Sequence, residues 1–351
     1  MTAFVVFVVV VGARFLVPLL IPRFPLPAIV AALILDGIDQ SVFQAFGFDP
    51  PGYQGYDKAM DVYYLAIAYL ATLRNWTSGP AVRVARFLYF YRLIGVVAFE
   101  LTGWRTLLLI FPNTFEYFFI AYEVYRLFWN PARVTLRAWV LTAAAIWVFV
   151  KLPQEWWIHI AQLDFTETVA GVPWFGPACV AGLALLGLVY WFVVRPRQAP
   201  HDWSWHVAAD PLPEGAVTVA DRNRWVAAHD RLWSAGTLEK VTLIGLLWVI
   251  YAQVLPGTTA TPVQLFAGTT VFVLVNSAIS LTVARSARGL EPTGVAFGLR
   301  VLLNMGLVTV TWWLRPEADL TGAFFFVLLL SLLTLLDDRY RPIHEMRAAG
   351  L

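Results

Sequence analysis

The sequence predicts an all-α fold, a polytopic bundle of about eleven transmembrane helices with a range of ten to twelve. Of the 351 residues, 59% are apolar and 14% are charged, whereas soluble domains contain about 45–50% and about 25%. The apolar residues form runs long enough to cross a hydrocarbon core of about 30 Å. Many of the 16 Trp residues flank those runs, as is typical of the aromatic belt at a membrane interface.

The predicted spans follow one another along most of the chain. The first lacks the basic n-region and the cleavage site of a signal peptide, so we expect it to be retained. The third and sixth are short and need their Tyr- and Trp-rich flanks to reach across the bilayer. Spans are predicted at residues 3–21, 25–46, 59–73, 87–102, 106–127, 138–152, 173–194, 239–256, 262–284, 293–314 and 320–336.

Three parts of the chain differ in composition. Residues 1–194 are expected to form a first membrane bundle of about seven spans that holds most of the intramembrane charges. Residues 195–236 form a polar loop that opens with several prolines and then carries Thr218 and Asp221 at capping-box spacing, which predicts a short amphipathic helix. Residues 237–351 are expected to form a second bundle of about four spans and a short tail.

The distribution of basic residues predicts the orientation. Seventeen of the 25 Lys and Arg residues fall in one alternating set of loops. Only Lys58, Arg105, Lys151 and Arg315 fall in the other set. Because Lys and Arg are retained on the cytoplasmic side, the N-terminus is expected outside and the C-terminus inside a plasma (inner) membrane.

Four aspartates are predicted to converge in the outer half of the bundle. Asp36 and Asp39 lie three residues apart on the second span, and Asp57 and Asp61 lie four apart at the start of the third. Each pair therefore shares a helical face, and the short connection favours antiparallel contact between the spans. Such carboxylates suit a bound cation, including a divalent cation as cofactor, or a proton relay. The alternative is hydrogen bonding for packing alone, with Asp57 simply solvated at the headgroups.

The fifth span combines Pro112, Asn113, Glu116 and Glu123. A proline there can kink the helix and free backbone carbonyls beside a cavity. At about 1.5 Å rise per residue, Glu116 lies at a depth similar to that of Asp36. Asp36, Asp39, Asp61 and Glu116 are therefore the candidates for one shared polar or transport site, and a packing contact is the alternative for Glu116.

A buried ion pair between Arg92 and Glu123 is also predicted. Arg92 lies about 9 Å from the cytoplasmic edge of the fourth span, and Glu123 lies about 6 Å from the same edge on the fifth. The short turn between these spans favours antiparallel packing.

Several classes of function are excluded or lack support. The net charge of +2 and the absence of a basic tract argue against a nucleic-acid partner. The single cysteine excludes an intrachain disulfide and a CxxC site. Sequence signatures such as GxSxG, the P-loop and GxGxxG are absent.

Three functions stay open. The first is a transporter or channel for a cation, a proton or a coupled solute, favoured by ionisable residues inside spans. The second is a metal-assisted membrane transferase acting on a lipid or polyprenyl-phosphate substrate. The third is a non-catalytic subunit or scaffold in an oligomer or larger membrane complex. The sequence does not decide whether the protein is an enzyme, and its predicted partners are the lipid bilayer and a small ion or solute.

The predicted orientation can be tested with single cysteines in a Cys179→Ser background. Cysteines placed in residues 153–172 are expected to react with a membrane-impermeant reagent on intact cells, because that segment is predicted outside. Cysteines in residues 195–236 are expected to react only after lysis. The reverse pattern would overturn the orientation.

Overall fold

The computed structural model describes residues 2–46, 53–163, 165–203, 205–254, 261–285, 298, 300–306, 309 and 320–350. The predicted all-α class is confirmed, since 82% of the chain is helical and the described residues form no strand. In order, the helices are α1 (Thr2–Leu16), α2 (Pro25–Ala45), α3 (Tyr53–Asn75), α4 (Gly79–Thr102), α5 (Thr106–Ile110), α6 (Thr114–Arg126), α7 (Leu136–Ile146), α8 (Leu152–Glu155), α9 (Phe165–Gly171), α10 (Phe175–Val189), α11 (Val219–His229), α12 (Ala235–Val254), α13 (Pro262–Arg285) and α14 (Leu320–Ala348).

Six helical stretches among the described residues are long and apolar enough to cross a membrane. They coincide with six of the predicted spans. A shorter apolar helix, Val5–Leu20, coincides with the first. The predicted span at 293–314 lies largely outside the described residues. The six stretches are Pro25–Ala45, Thr106–Arg126, Leu136–Ile160, Phe175–Arg197, Ala235–Gln253 and Val263–Thr282.

Side-chain caps and a glycine set several helix ends. Ser78 accepts the backbone N–H of Ala81 at the start of α4, and Gly103, with φ of +69°, ends it. This positive φ is favourable for glycine because it has no Cβ. At the start of α11, Thr218 and Asp221 bond each other's backbone N–H groups, so the predicted capping box is confirmed.

Helix α3 is the centre of the bundle. Every residue from Val62 to Leu73 is buried, and α3 packs against α2, α4, α12 and α14. A helix that is buried on all sides carries apolar or aromatic residues around its whole circumference. This explains the tyrosines Tyr63, Tyr64 and Tyr69 in α3, whose hydroxyls find partners on neighbouring elements.

The predicted kink at Pro112 is a break between α5 and α6. The carbonyls of Ile110 and Phe111, at the end of α5, accept hydrogen bonds from Tyr91 and Arg92 of α4. Gly95 permits the close approach, because a Cβ there would lie 2.1 Å from Cβ of Phe111. The break thus exchanges helical hydrogen bonds for contacts between helices.

The segment after α7 stays helical through two π-helical turns, Trp147–Lys151 and Trp156–Ile160. This helical stretch ends at Ile160, and α9 follows it as a separate helix. Helix α10 buries no residue, and its apolar side chains are exposed around it.

Candidate functional site

A single buried arginine lies among the four aspartates. Arg14 of α1 directs its Nη1 to Asp39 and to Asp57, the latter at 2.6 Å, and its Nη2 to Asp36 and to Asp61, the latter at 2.7 Å. The Arg14 side chain is 3% exposed. We call Arg14 and the four aspartates the Arg14 cluster. The predicted convergence of Asp36, Asp39, Asp57 and Asp61 is thus observed, with a cation at its centre.

Helix geometry explains how two helices deliver four carboxylates to one side chain. Residues three or four apart share a helix face, so α2 presents one pair and α3 presents the other. Arg14 was absent from the predicted site. It is the only basic residue of the first predicted span, and an arginine inside a span needs an anionic partner at its own depth. This need for an anionic partner could have placed Arg14 beside the aspartates in the predicted site.

Negative charge exceeds positive charge in the Arg14 cluster. Four carboxylates surround one guanidinium, and the nearby Lys58 pairs with Glu100 at 3.0 Å instead. Arg14 is the only cation within ion-pair distance of these aspartates among the described residues. Fully ionised, the cluster carries three uncompensated negative charges.

The excess charge lies on the accessible side of the cluster. The side chains of Asp36, Asp57 and Asp61 are 26%, 33% and 39% exposed, whereas that of Asp39 is 1% exposed. One carboxylate oxygen from each of the three exposed aspartates lies within 4.8 Å of the other two. Oxygen ligands in this arrangement suit a hard cation, which is coordinated at about 2.0–2.6 Å.

Glu116 lies beside the Arg14 cluster and is linked to it through Tyr64. Tyr64 lies one helical turn after Asp61, and its hydroxyl donates a hydrogen bond to Oε1 of Glu116. Asn113 donates to Oε2 of Glu116 at 3.0 Å. Glu116 is therefore buried with both oxygens satisfied, and its link to Asp36 and Asp61 is indirect.

A further acid, Glu155, continues this polar row. Glu155 accepts the backbone N–H of Asn113 at 3.1 Å and lies 3.3 Å from Nζ of Lys151 and 3.0 Å from Nε2 of His159. The break at Pro112 leaves the Asn113 N–H available for this bond. A row of hydrogen-bonded polar groups thus runs from Tyr64, one helical turn after Asp61, through Glu116 and Asn113 to Glu155.

The predicted pair between Arg92 and Glu123 is wrong. Glu123 instead accepts from Trp76 and from Nε of Arg126, each at 2.8 Å, and Arg126 also pairs with Asp210 at 2.9 Å. Arg92 donates to the Phe111 carbonyl at 2.9 Å. The depth argument compared two helices, whereas Arg126 lies three residues from Glu123 on the same helix and a freed carbonyl lies beside Arg92.

An aromatic layer separates Glu116 from Glu123. Phe118, Phe119 and Tyr122 of α6 are fully buried, and the Tyr122 ring stacks on Trp76 with centroids 3.8 Å apart. The two glutamates, seven residues apart, are about 10 Å apart along the helix. The polar row therefore ends at this layer of buried aromatic side chains, which forms an aromatic barrier.

Comparison of the chain with protein-family models, curated proteins and solved structures found no match.

Replacing Arg14 by Gln tests whether it neutralises the aspartates. The variant is expected to lose about 3–5 kcal/mol of stability near neutral pH, because buried charges lose their partner. The loss is expected to shrink as the pH falls. Crowded carboxylates bind protons more readily in the folded than in the unfolded variant, so its stability rises on acidification. Unfolding in detergent across a pH series would measure this.

Arg133→Gln is the matched control for that experiment. Arg133 is 70% exposed and forms one ion pair, with Asp202, so its loss is expected to change stability by no more than about 1 kcal/mol. An Arg14→Gln variant as stable as this control at neutral pH would show that the aspartates do not need the guanidinium.

Proposed function

We propose that this chain is a multi-pass plasma-membrane transporter that moves a cation or a proton, alone or with a coupled solute. In this proposal Asp36, Asp57 and Asp61 bind the ion. The observation that supports it is the charge excess of the Arg14 cluster, where one guanidinium meets four carboxylates. A cation or protons on the accessible side would remove that excess.

The proposed topology has about eleven spans, with the N-terminus outside and the C-terminus in the cytoplasm. The unequal distribution of Lys and Arg between alternate loops supports it. In that orientation the Arg14 cluster opens toward the outside, and residues 195–236 face the cytoplasm.

The row from Tyr64 through Glu116 to Glu155 supports a route for protons. Chains of acids inside membrane proteins commonly relay protons, because each member can accept and release one. The aromatic barrier of Trp76, Phe118, Phe119 and Tyr122 supports a state that is closed toward the cytoplasmic side. Transport would then require α6 to move relative to α3.

One observation also favours the metal-assisted transferase. The three carboxylate oxygens within 4.8 Å of one another suit a divalent cation, which could activate a lipid or polyprenyl-phosphate substrate. The scaffold proposal has less support. In a purely structural site each buried charge is expected to have a neutralising partner, whereas the Arg14 cluster holds four carboxylates for one guanidinium.

Charge displacement on a solid-supported membrane would test the transporter proposal. Proteoliposomes would receive steps in pH, Na⁺ or Mg²⁺. The native protein is expected to give a transient current for at least one of these, followed by uptake of that ion into the liposomes. Asp36→Asn and Asp61→Asn are expected to lose most of the current, because each replacement removes a proposed ligand charge.

Glu100→Gln is the matched control, since Glu100 is an acid of the same half of the bundle but pairs with Lys58 outside the cluster. It is expected to keep the native current. A native protein that gives neither current nor uptake would contradict transport, as would aspartate variants with unchanged currents. Binding currents without uptake would favour the transferase.

A further inference from the structure

Six of the buried or half-buried arginines fall into two contrasting groups, and the buried Arg300 belongs to neither, because it meets one carboxylate, that of Asp338 at 2.6 Å. Arg14, Arg126 and Arg341 each meet at least two carboxylates within ion-pair distance. This is the usual condition of a buried cation, because an unpaired one loses much of its hydration without compensation.

Arg74, Arg222 and Arg347 form the second group. They come from the end of α3, the first turn of α11 and the end of α14. None of them lies within 4.0 Å of a carboxylate oxygen of a described residue. Arg222 is buried, and the other two are half-buried. We call these three residues the arginine site.

Neutral oxygens hold the three side chains in place. Nη1 of Arg74 donates to the Pro22 carbonyl at 2.9 Å and to Asn75. Nη1 of Arg222 donates to the Ala216 carbonyl at 2.7 Å. Arg347 donates to the carbonyls of Arg74 and of Pro211. Nε and Nη2 of Arg74 and Arg222 donate to no residue in the described part of the chain.

The positive charges of the arginine site act on one another. Burial, then the charges of Arg339 and Arg74, lower the pKa of Arg222. Burial also lowers the pKa of Arg74, with Arg339 adding to the effect. Like charges held together in a partly buried place destabilise the fold unless an anion joins them.

Two carboxylates near the arginine site pair with other residues. Asp210, whose charge acts on Arg347, pairs through Oδ1 with Arg126 at 2.9 Å and with His206 at 2.8 Å, and its Oδ2 has no hydrogen-bond partner among the described residues. Asp221, next to Arg222 in sequence, caps α11 and pairs with Arg224. Both carboxylates act on the arginine site from a distance, and no carboxylate of a described residue forms an ion pair with it.

We propose that Arg74, Arg222 and Arg347 bind a phosphate-bearing anion. Guanidinium groups suit phosphate because their planar N–H donors match its oxygens and its charge. The neutral carbonyl contacts hold the donors in position without neutralising them. Phosphate can reach this site either as part of a lipid headgroup or as a soluble anion, and the guanidinium groups would contact the phosphate oxygens in the same way in both cases.

The test uses full-length protein in a zwitterionic or uncharged detergent. Inorganic phosphate and short-chain phosphatidic acid are titrated at constant ionic strength, with chloride as the reference, and the unfolding temperature is followed. Stabilisation by both probes would show that the site binds the phosphate group whether it is free or part of a lipid headgroup. Stabilisation by the phosphatidic acid alone would assign the site to a lipid headgroup. Stabilisation by neither beyond the chloride reference overturns the proposal.

Gln variants separate binding from structure. Arg74→Gln, Arg222→Gln and Arg347→Gln are each expected to weaken phosphate binding about tenfold or more, since one charge-assisted contact is lost. Without phosphate they are expected to unfold at the native temperature or above, because the repulsion between the arginines falls.

Arg224→Gln is the control, since Arg224 is 79% exposed and pairs with Asp221. This variant should bind phosphate as the native protein does. Gln variants that bind phosphate as tightly as the control overturn the proposal, and so do variants destabilised equally with and without phosphate.

Discussion

The constraint on which the packing of α1, α2 and α3 depends is the cost of holding charge away from water. Arg14 and the aspartates would each be expensive alone inside a membrane. Together they fix the positions of α1, α2 and α3 relative to one another, because the Arg14 guanidinium must contact the aspartate pair of α2 and the aspartate pair of α3 at the same time. The cluster holds four carboxylates for one guanidinium, so Arg14 alone does not neutralise it when all four are ionised. One or two acids would have satisfied Arg14.

The same constraint appears in the backbone. Pro112 interrupts the α5–α6 stretch, and several of the groups beside it find new partners: the Ile110 carbonyl accepts from Tyr91, the Phe111 carbonyl accepts from Arg92, and the Asn113 N–H donates to Glu155. An irregular backbone at this depth is tolerated only where such partners exist. At the break, the Asn113 side chain contacts Glu116 and its backbone N–H contacts Glu155. The aromatic barrier follows on α6.

Much of the fold could be predicted from composition and periodicity. Apolar runs predicted the helices, the spacing of Asp36, Asp39, Asp57 and Asp61 predicted their convergence, and Thr218 predicted a cap. These signals are local and depend on helical geometry alone. The contacts of Arg14 and Tyr64 could not be predicted with the same ease. They depend on which helices adjoin, and single-sequence spacing carries little information about that.

The failure of the Arg92–Glu123 pair illustrates this limit. The prediction compared depths along two helices, and depth does not say which face of a helix turns inward. Glu123 bonds a cation on its own helix, and Arg92 bonds a carbonyl at the backbone break, where α5 ends at Ile110. Both partners are closer than the residue at a similar depth on the other helix.

The central claim is that Arg14 and its aspartates act as one coupled unit, and a double-mutant cycle between Arg14→Gln and Asp39→Asn tests it most directly. Asp39 is the most buried acid of the cluster, so its charge is felt mainly by Arg14. Unfolding free energies of the two single variants and the double variant would be measured in one lipid–detergent mixture. The account predicts a coupling energy of about 2 kcal/mol or more, with the double variant less destabilised than the sum of the singles. Losses that add to within about 0.5 kcal/mol would contradict it.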